Sequence, residues 1–346
     1  MARILFWSGD TTSACTFYRC AEPARVLKRL GHETRWDRRV GLATAAMSDA
    51  VVIQRPTEST TTHLIEKMLS LPERARPRIV VELDDDLFAV PEHNPAHEMM
   101  ADPARRERLA WAIAHADRVT VTGEHLAQQT RLVHGAYEWA GDIRVVPNYV
   151  PERFVVDKVP DLVGLQVPTI TWAGSDTHRR DFDEVAVPLR KLLRERTDFK
   201  VRIVGAPYAD RLRTAIARLD EPRLASTVYA RVQQVPWIEG VDRYIPTLAG
   251  HIGLAPLADD LFNRSKSDLR LKELAARGMA IFASGVGPYR ATDVPGIQFT
   301  SEWAADLEHV LDRPDWRWEL ASLALTWAQA NTLEAHAVEW EKALLD

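Results

Sequence analysis

The chain has 346 residues, 46% of them hydrophobic and 27% charged, and its net charge is −5 at pH 7. This composition is typical of a globular protein in water, and the length suits two domains better than a single core. No apolar run approaches the about 20 residues that cross a bilayer, so we expect no transmembrane segment and a cytoplasmic location.

The charge balance argues against a nucleic-acid partner without excluding one, because a local groove can be positive on a protein that is acidic as a whole. Arginines cluster at Arg74, Arg76 and Arg78 and again at Arg105, Arg106 and Arg108. These clusters could follow a phosphate backbone, although a solvated surface is the better interpretation. Cys15 and Cys20 lack a second pair that would complete a zinc site, so we expect reduced thiols.

The first part of the chain alternates apolar runs with helical periodicity, which predicts a parallel sheet in a doubly wound domain over residues 1–150. The predicted strands are Ala2 to Trp7, Ser48 to Gln54, Arg78 to Leu83, Arg118 to Thr122 and Ile143 to Pro147. The predicted helices are Ala21 to Leu30, Thr60 to Leu71 and Asp102 to Ala116.

Prolines without a sustained period predict a linker over residues 151–167, after which the alternation restarts in a second domain, residues 168–325. Its predicted strands are Thr169 to Gly174, Lys200 to Gly205, a short one near Thr227 to Tyr229, and Ile252 to Ala255. Its predicted helices are Phe182 to Arg196 and Ala209 to Leu219. The Trp-rich end of the chain is predicted to be helical, with 326–346 as a separate C-terminal helix.

The stretch from residue 263 to residue 285 predicts a helix followed by a buried strand. Ser265 and Asp268 have the spacing of a capping box, and Gly278 would close the helix before the apolar run of the strand. Lys266 beside the helix N-terminus is a candidate phosphate contact, and Glu273 could accept hydrogen bonds from a ribose. The alternative is a solvated helix face on which Arg270 and Arg277 flank Glu273 at ion-pair spacing.

The pattern SK-x-x-L-x-x-x-E-x-x-A-x-G, followed by Ser284, resembles the nucleotide-sugar motif of GT-B glycosyltransferases of the retaining, family 4-like class. The resemblance implies two Rossmann-like domains facing across a cleft, with a C-terminal helix that crosses back to the first domain. It also implies that Glu273 binds the ribose of an NDP-sugar such as a UDP-sugar and that Lys266 meets the diphosphate. Many members have a glutamate where this chain has Ser265, so the family's contact from that residue to the sugar is not carried over.

Two further loops are candidates for the donor nucleotide. Gly174 ends a predicted strand at the sheet edge where doubly wound domains bind ligands, and the residues that follow are Ser175, His178, Arg179 and Arg180. Either arginine could neutralise a departing diphosphate. Gly287, in a glycine-rich loop after the predicted strand of the motif, could offer backbone N–H groups. A polar surface loop is the alternative for the first, and the second has too few glycines to be a dinucleotide fingerprint.

Asp84, Asp85 and Asp86 follow a predicted strand of the first domain and allow three interpretations. They could bind a divalent metal, contact the acceptor or the sugar, or cap a turn. We expect no divalent metal, because similar GT-B enzymes are generally metal-independent. Gly9, Asp10 and Arg19 are further candidates for contacts to the acceptor or the sugar, although Arg19 could also meet a phosphate or be a salt-bridge partner within a helix.

The sequence therefore predicts a glycosyltransferase, monomeric or homodimeric, that moves a sugar from an NDP-sugar to a hydroxyl acceptor with retention. The acceptor stays open among a glycan, a small molecule, a protein and a hydroxymethylated DNA base of the kind some phages make. The alternative function is a non-catalytic two-lobed protein that binds a nucleotide or sugar. A nicotinamide-dependent oxidoreductase ranks last, because neither Gly9 nor Gly174 opens a G-x-G-x-x-G sequence.

Overall fold

The computed structural model describes residues 1–10, 13–133, 141–160, 167–217, 222–292 and 294–346. Within these ranges the chain divides into two compact units, each built on one six-stranded parallel sheet. Unit 1 consists of Met1–Pro151, Arg264–Ser267 and Asn331–Asp346, and unit 2 consists of Glu152–Asn263 and Asp268–Ala330.

Unit 1 contains the strands β1 (Arg3–Trp7), β2 (Glu33–Asp37), β3 (Ala50–Gln54), β4 (Arg78–Leu83), β5 (Arg118–Val121) and β6 (Asp142–Val145). Its helices are α1 (Ala14–Thr16), α2 (Glu22–Arg29), α3 (Leu42–Ala46), α4 (Ser59–Leu69), α5 (Ala96–Met100), α6 (Pro103–His115), α7 (Glu124–Leu132) and α17 (Ala337–Leu345). A π-helical turn, Phe17–Ala21, joins α1 to α2.

The sheet of unit 1 has the strand order β2-β1-β3-β4-β5-β6. The chain runs outwards from β1 to β2 and then returns to place β3 on the other side of β1, so the strand order reverses between β1 and β3. Phe6, Val52 and Val80 lie side by side across β1, β3 and β4, and the ring of Trp340 in α17 meets Phe6 edge-on at 6.2 Å. This apolar row holds α17 within the core of unit 1.

Unit 2 contains the strands β7 (Thr169–Gly174), β8 (Lys200–Gly205), β9 (Val232–Val235), β10 (Ile252–Ala255), β11 (Ala280–Ala283) and β12 (Ile297–Phe299). Its helices are α8 (Arg179–Glu195), α9 (Ala209–Ala217), α10 (Pro222–Arg231), α11 (Val241–Tyr244), α12 (Leu261–Arg264, whose last residue belongs to unit 1), α13 (Leu269–Ala276), α14 (Gly287–Ala291), α15 (Trp303–Asp312) and α16 (Pro314–Ala330).

The sheet of unit 2 has the order β12-β11-β10-β7-β8-β9, so its strand order reverses between β7 and β10. Trp172 of β7 is buried between neighbours on both sides, with Leu254 of β10 and Ile203 of β8 opposite it. Its ring lies 4.9 Å from that of Phe182 and 5.3 Å from that of Tyr208. These aromatic contacts fix α8 and the loop after β8 against the sheet.

The predicted fold class is confirmed as two doubly wound parallel α/β units. The strands Arg78–Leu83, Thr169–Gly174 and Lys200–Gly205 have the predicted bounds. Gly278 closes α13 with a φ of +69°, as predicted. Part of the predicted linker, 152–160, belongs to unit 2, and 161–166 lie outside the described residues.

One strand prediction is wrong, and three strands were missed. The strand predicted near Thr227 to Tyr229 is helical and belongs to α10. Thr227, Val228 and Tyr229 all have high strand propensity, but only Val228 of the three is buried, so that propensity gains nothing from sheet packing. The missed strands β2, β9 and β12 are all edge strands of mixed polarity, and each is only partly buried.

Among the described residues, no helix is both long enough and apolar enough to span a bilayer.

His251 links the starts of β7 and β10 and predicts a pH dependence of stability. Its Nδ1 accepts a hydrogen bond of 3.0 Å from the backbone N–H of Thr169, and burial lowers its pKa from 6.5 to about 4. The folded ring therefore resists a proton that the unfolded chain takes up below pH 6.5. The resulting stability is present above pH 6.5 and is lost as the pH falls towards 4.

We expect wild-type protein to lose up to about 3 kcal/mol more free energy of unfolding than His251→Asn between pH 7 and pH 4, because asparagine keeps the acceptor and does not titrate. Urea denaturation at several pH values measures the difference. Parallel pH profiles of the two proteins would contradict this account of His251.

Candidate functional site

Polar side chains gather at the carboxyl edge of the sheet in unit 1, where its strand order reverses. Gly9 and Asp10 follow β1, Arg55 follows β3, and the acidic run from Asp84 to Asp86 follows β4. The carboxyl ends of neighbouring parallel strands lie at one edge, so the topology brings these loops together.

Arg55 neutralises two of the three aspartates. Its Nε contacts Asp84, and its second guanidinium nitrogen lies 2.8 Å from Oδ2 of Asp85. The other carboxylate oxygen of Asp85 lies 3.4 Å from the ammonium of Lys266. Asp84 is buried, whereas the side chains of Asp85 and Lys266 keep about a fifth of their surface, 22% and 19%. Asp85 and Lys266 can therefore meet a ligand, and Asp84 is a support.

Sequence reasoning missed Arg55. It is the one non-glycine residue with positive φ among the parts of the chain that the structure describes, at +46°. A left-handed arginine is unfavourable, and such conformations persist where surrounding contacts hold them. The ion pairs to Asp84 and Asp85 provide those contacts. The sequence carries no signal for this, because it shows only an arginine between a strand and a proline.

Asp86 fits the turn-capping interpretation. Its Oδ1 accepts a hydrogen bond of 3.1 Å from the backbone N–H of Phe88, and its side chain is buried. Burial raises the pKa of this carboxyl. Within the described residues, no group of three or more His, Cys, Asp and Glu side chains is arranged to hold a metal ion.

The prediction that Arg19 contacts an acceptor is wrong, because its side chain has no exposed surface. Its Nε donates to Glu82 at 2.6 Å, and NH1 donates to the backbone oxygen of Val146 at 2.6 Å. The guanidinium also lies 4.6 Å from the centre of the Trp340 ring. The pair of Arg19 and Glu82 is therefore a core contact of unit 1. Its burial raises the pKa of Glu82 to about 7.

Asp10 shapes the loop after β1 with its backbone. Its carbonyl oxygen accepts hydrogen bonds from Ser8 at 3.0 Å and from Thr16 at 2.6 Å. The Thr16 hydroxyl oxygen also lies 3.1 Å from the side-chain oxygen of Gln54, whose amide nitrogen has no partner among the described residues. Gly9 is exposed, with open space where a Cβ would lie. The described part of this loop is therefore anchored by Ser8 and Thr16 and is accessible at Gly9.

In unit 2, Gly174 ends β7 beside the reversal of strand order, as predicted, but the reason for a glycine differs. A Cβ at Gly174 would lie 2.8 Å from the Trp172 ring and 3.4 Å from Cβ of His178. A side chain at this position would therefore clash with Trp172 in the core, and this clash, not the approach of a ligand, explains the glycine. Ser175 follows and shares a hydrogen bond of 2.6 Å with Thr177.

His178, Arg179 and Arg180 lie together where α8 begins. Arg179 and Arg180 are exposed, and the His178 side chain is 27% exposed. Nδ1 of His178 lies 2.7 Å from the buried carboxylate of Asp181. Two arginines and an oriented imidazole at a helix N-terminus make a surface suited to an anion. Gly287, with a φ of +37°, begins α14 at the same sheet edge and is also exposed.

Glu273 lies on α13, and the interpretation of that helix as a solvated face is wrong. Glu273 and Lys272 are each 4% exposed, and their helix contacts β11 and α16. The ion-pair part of that interpretation is correct for Arg270, whose NH1 lies 3.0 Å from Oε2 of Glu273. Arg270 also donates to the hydroxyl of Tyr244. The carboxylate is thus held in a fixed, largely buried position.

The predicted capping box is wrong. Asp268 is the N-cap of α13, but its carboxylate accepts no hydrogen bond from the helix backbone. It pairs instead with Lys272 at 2.9 Å and with the Thr292 hydroxyl at 3.1 Å. Ser265 is buried in unit 1, where its hydroxyl lies 2.9 Å from Nδ1 of His125. Lys266 accordingly meets Asp85 and does not lie in the first turn of α13.

The arginine clusters are largely committed to internal contacts. Arg76 pairs with Asp117 at 2.8 Å, and Arg78 donates to the backbone oxygen of Leu344 at 2.9 Å. Arg105 pairs with Glu58, and Arg108 donates to the backbone oxygen of Thr57. Acidic partners reduce the positive potential that a phosphate backbone would need.

We expect Arg55→Ala to destabilise the protein by about 3 kcal/mol, because it leaves the buried Asp84 without its cation. Adding Asp84→Asn should recover part of that loss. Arg35→Ala, which removes an exposed pair with Asp37, is the matched control and should cost less than about 1 kcal/mol. Urea denaturation measures all four proteins, and equal losses for the two arginine variants would contradict this role of Arg55.

No model of a known protein family matches the chain, and no curated protein matches it. Solved structures match it over nearly its whole length. A sucrose-phosphate synthase from Thermosynechococcus elongatus shares 14% identity, covers 99% of this chain and 98% of its own, and gives a TM-score of 0.67.

Anabaena HepE in complex with UDP-glucose shares 13% identity at a TM-score of 0.66, with 99% and 98% of the two chains covered. An alpha-glucosyltransferase in complex with UDP shares 13% identity at a TM-score of 0.63, with 99% and 100% covered. The chain therefore has the fold of these proteins, with two doubly wound α/β domains of the GT-B type.

Proposed function

We propose that the protein is a glycosyltransferase that moves a sugar from an NDP-sugar, with UDP as the first nucleotide to test, to a hydroxyl acceptor. The observation that carries the proposal is the cationic edge of unit 2. His178, Arg179 and Arg180 lie beside the reversal of strand order, in a chain whose fold matches structures that contain UDP or UDP-glucose.

The donor diphosphate is assigned to the loop between β7 and α8. Bond cleavage between the sugar and the diphosphate leaves negative charge on the departing phosphate oxygen, and fixed cations stabilise that charge. Arg179 and Arg180 provide permanent charge, and His178 can donate through its ring. Gly287 and Ser175 are the candidate neighbours of the phosphates at the same sheet edge.

The ribose is assigned to Glu273. An ionised carboxylate accepts hydrogen bonds from two adjacent hydroxyls, and the contact to Arg270 keeps it oriented in advance of binding. Preorganisation lowers the entropy that binding would otherwise cost. The same contact explains how an acidic side chain tolerates burial on α13.

Asp85 and Lys266 are assigned to the reacting groups. Asp85 retains exposed surface and is held from both sides by cations, which suits a carboxylate that orients a sugar or acceptor hydroxyl. Lys266 takes the role that the motif implies, a contact to the donor phosphate. Asp84 supports Asp85 through the shared Arg55, and Gly9 with Asp10 is proposed for the acceptor. Retention of configuration is proposed on the motif alone.

Glu273→Gln should weaken UDP binding about tenfold, because a charge-assisted hydrogen bond to the ribose becomes a neutral one. Isothermal titration calorimetry measures the affinity. Glu184→Gln, an exposed carboxylate on α8, is the matched control and should bind as the wild type does. Unchanged affinity in Glu273→Gln would remove Glu273 from the ribose site.

Lys266→Ala should lower kcat about 100-fold or more, because a charge that stabilises the departing phosphate is lost. The assay follows release of UDP from UDP-glucose, with Lys191→Ala, an exposed lysine on α8, as control. Slow release by the wild type that disappears in Lys266→Ala supports an enzyme. Tight nucleotide binding without any release, across donors and acceptors, would favour the non-catalytic binding protein instead.

A further inference from the structure

Asp181 is a buried carboxylate in the first turn of α8, and none of the roles above uses it. Only 3% of its surface is exposed. Its Oδ2 lies 2.7 Å from Nδ1 of His178, and its Oδ1 accepts hydrogen bonds of 2.9 Å from the backbone N–H of Ala258 and from Nδ2 of Asn263. Both oxygens are therefore engaged by neighbouring donors.

This arrangement determines which nitrogen of His178 carries a proton. An ionised carboxylate can only accept hydrogen bonds, so the nitrogen that faces it, Nδ1, must be the donor. The other ring nitrogen, Nε2, is then the one that can meet a ligand. A nearby negative charge also favours the imidazolium form, in which Nε2 becomes a charged donor suited to a phosphate oxygen.

We propose that Asp181 is a positioning residue that holds His178 with Nδ1–H towards the carboxylate and so prepares the doubly protonated ring to donate from Nε2 to the diphosphate of the donor. The identity of the ligand rests on the proposed function, whereas the state of the imidazole does not. Carboxylates that orient an imidazole in this way determine both its tautomer and its basicity.

Asp181 also connects the two loops that flank the reversal of strand order in unit 2. His178 belongs to the loop after β7, and Ala258 and Asn263 belong to the segment after β10. Asn263 is itself fixed, because Nδ2 donates to the backbone oxygen of Ala258 at 2.9 Å and its N–H donates to Asp260 at 2.8 Å. The Asp181 carboxylate thus fixes the position of the His178 ring relative to the segment after β10.

Other charged groups near Asp181 and His178 also affect how readily the His178 ring takes up a second proton. Arg179 and Arg180 follow His178 on α8 and oppose its protonation. Asp176 accepts a hydrogen bond of 2.9 Å from the Tyr208 hydroxyl, and Arg211 of α9 lies above the Tyr208 ring. Tyr289 of α14 interacts electrostatically with Asp181. Asp181 is the carboxylate in direct contact with the ring, so removing its charge should have the largest effect.

The state of the ring can be measured directly by NMR on full-length protein with ¹⁵N-labelled histidine. The chain has 11 histidines, and the signal that disappears in His178→Ala assigns the residue. In the wild type we expect the neutral ring to carry its proton on Nδ1. In Asp181→Asn we expect titration at a lower pH and a shift towards protonation on Nε2. Asn263→Ala keeps the carboxylate and should retain the wild-type state.

A double-mutant cycle with UDP tests the consequence for binding. Asp181→Asn should lower UDP affinity about tenfold near neutral pH, and the loss should be greater at pH 6 than at pH 8, because the imidazolium is the form that is lost. In a His178→Ala background, Asp181→Asn should have little further effect, because Asp181 acts through the ring.

The outcomes separate this proposal from the proposed function. Wild-type His178 protonated on Nε2, or a titration unchanged in Asp181→Asn, would overturn the positioning role, and the wild-type measurement stands even if the variant does not fold. An equal loss of affinity from Asp181→Asn with and without His178 would also overturn it. If UDP does not bind the wild type, the proposed function fails while the NMR result still decides the role of Asp181.

Discussion

Parallel strand pairing is the constraint on which both candidate sites depend. Each unit has an all-parallel sheet, so every strand ends at the same edge and every return helix lies on a face. The strand order reverses once in each sheet, between β1 and β3 and between β7 and β10. Neighbouring loops diverge at a reversal, which leaves room for a ligand and explains why the polar side chains gather there.

Burial of charge is the second common feature, and three of the buried charged side chains form pairs of opposite sign. Arg19 faces Glu82, Arg55 faces Asp84, and Arg270 faces Glu273. Desolvation of an ion is costly, and a partner with good geometry offsets much of that cost. These pairs have different roles. The pair of Arg19 and Glu82 is fully buried in the core, whereas Arg55 and Arg270 fix carboxylates at or next to candidate sites.

The sequence predicted well those elements whose signals are local. The strand Arg78–Leu83 is an apolar run buried on both faces, so length and composition located both of its ends. The edge strand β2 has no such run, and the β-branched residues of α10 resemble a strand although they form a helix. Long-range packing determined the structure of β2 and α10, and a short stretch of sequence does not reveal long-range packing.

The candidate site divides in the same way. Motif spacing predicted Glu273 and Lys266, and position at the end of a predicted strand predicted the loop that begins at Gly174; the roles of these residues stay predictions. The partners that orient them were not visible, because Arg55 and Asp181 meet their targets through the tertiary fold or a tight turn. Arg19 was misjudged for the opposite reason, since sequence position near the first loop does not reveal burial.

Thermal denaturation in the presence of a series of NDP-sugars tests the central claim most directly, because a ligand that binds only the folded state raises the melting temperature by mass action. The account predicts that at least one NDP-sugar raises Tm in a concentration-dependent manner and that the corresponding free sugar does not. No shift with any NDP-sugar or with the free nucleotides, at concentrations up to the millimolar range, would contradict it.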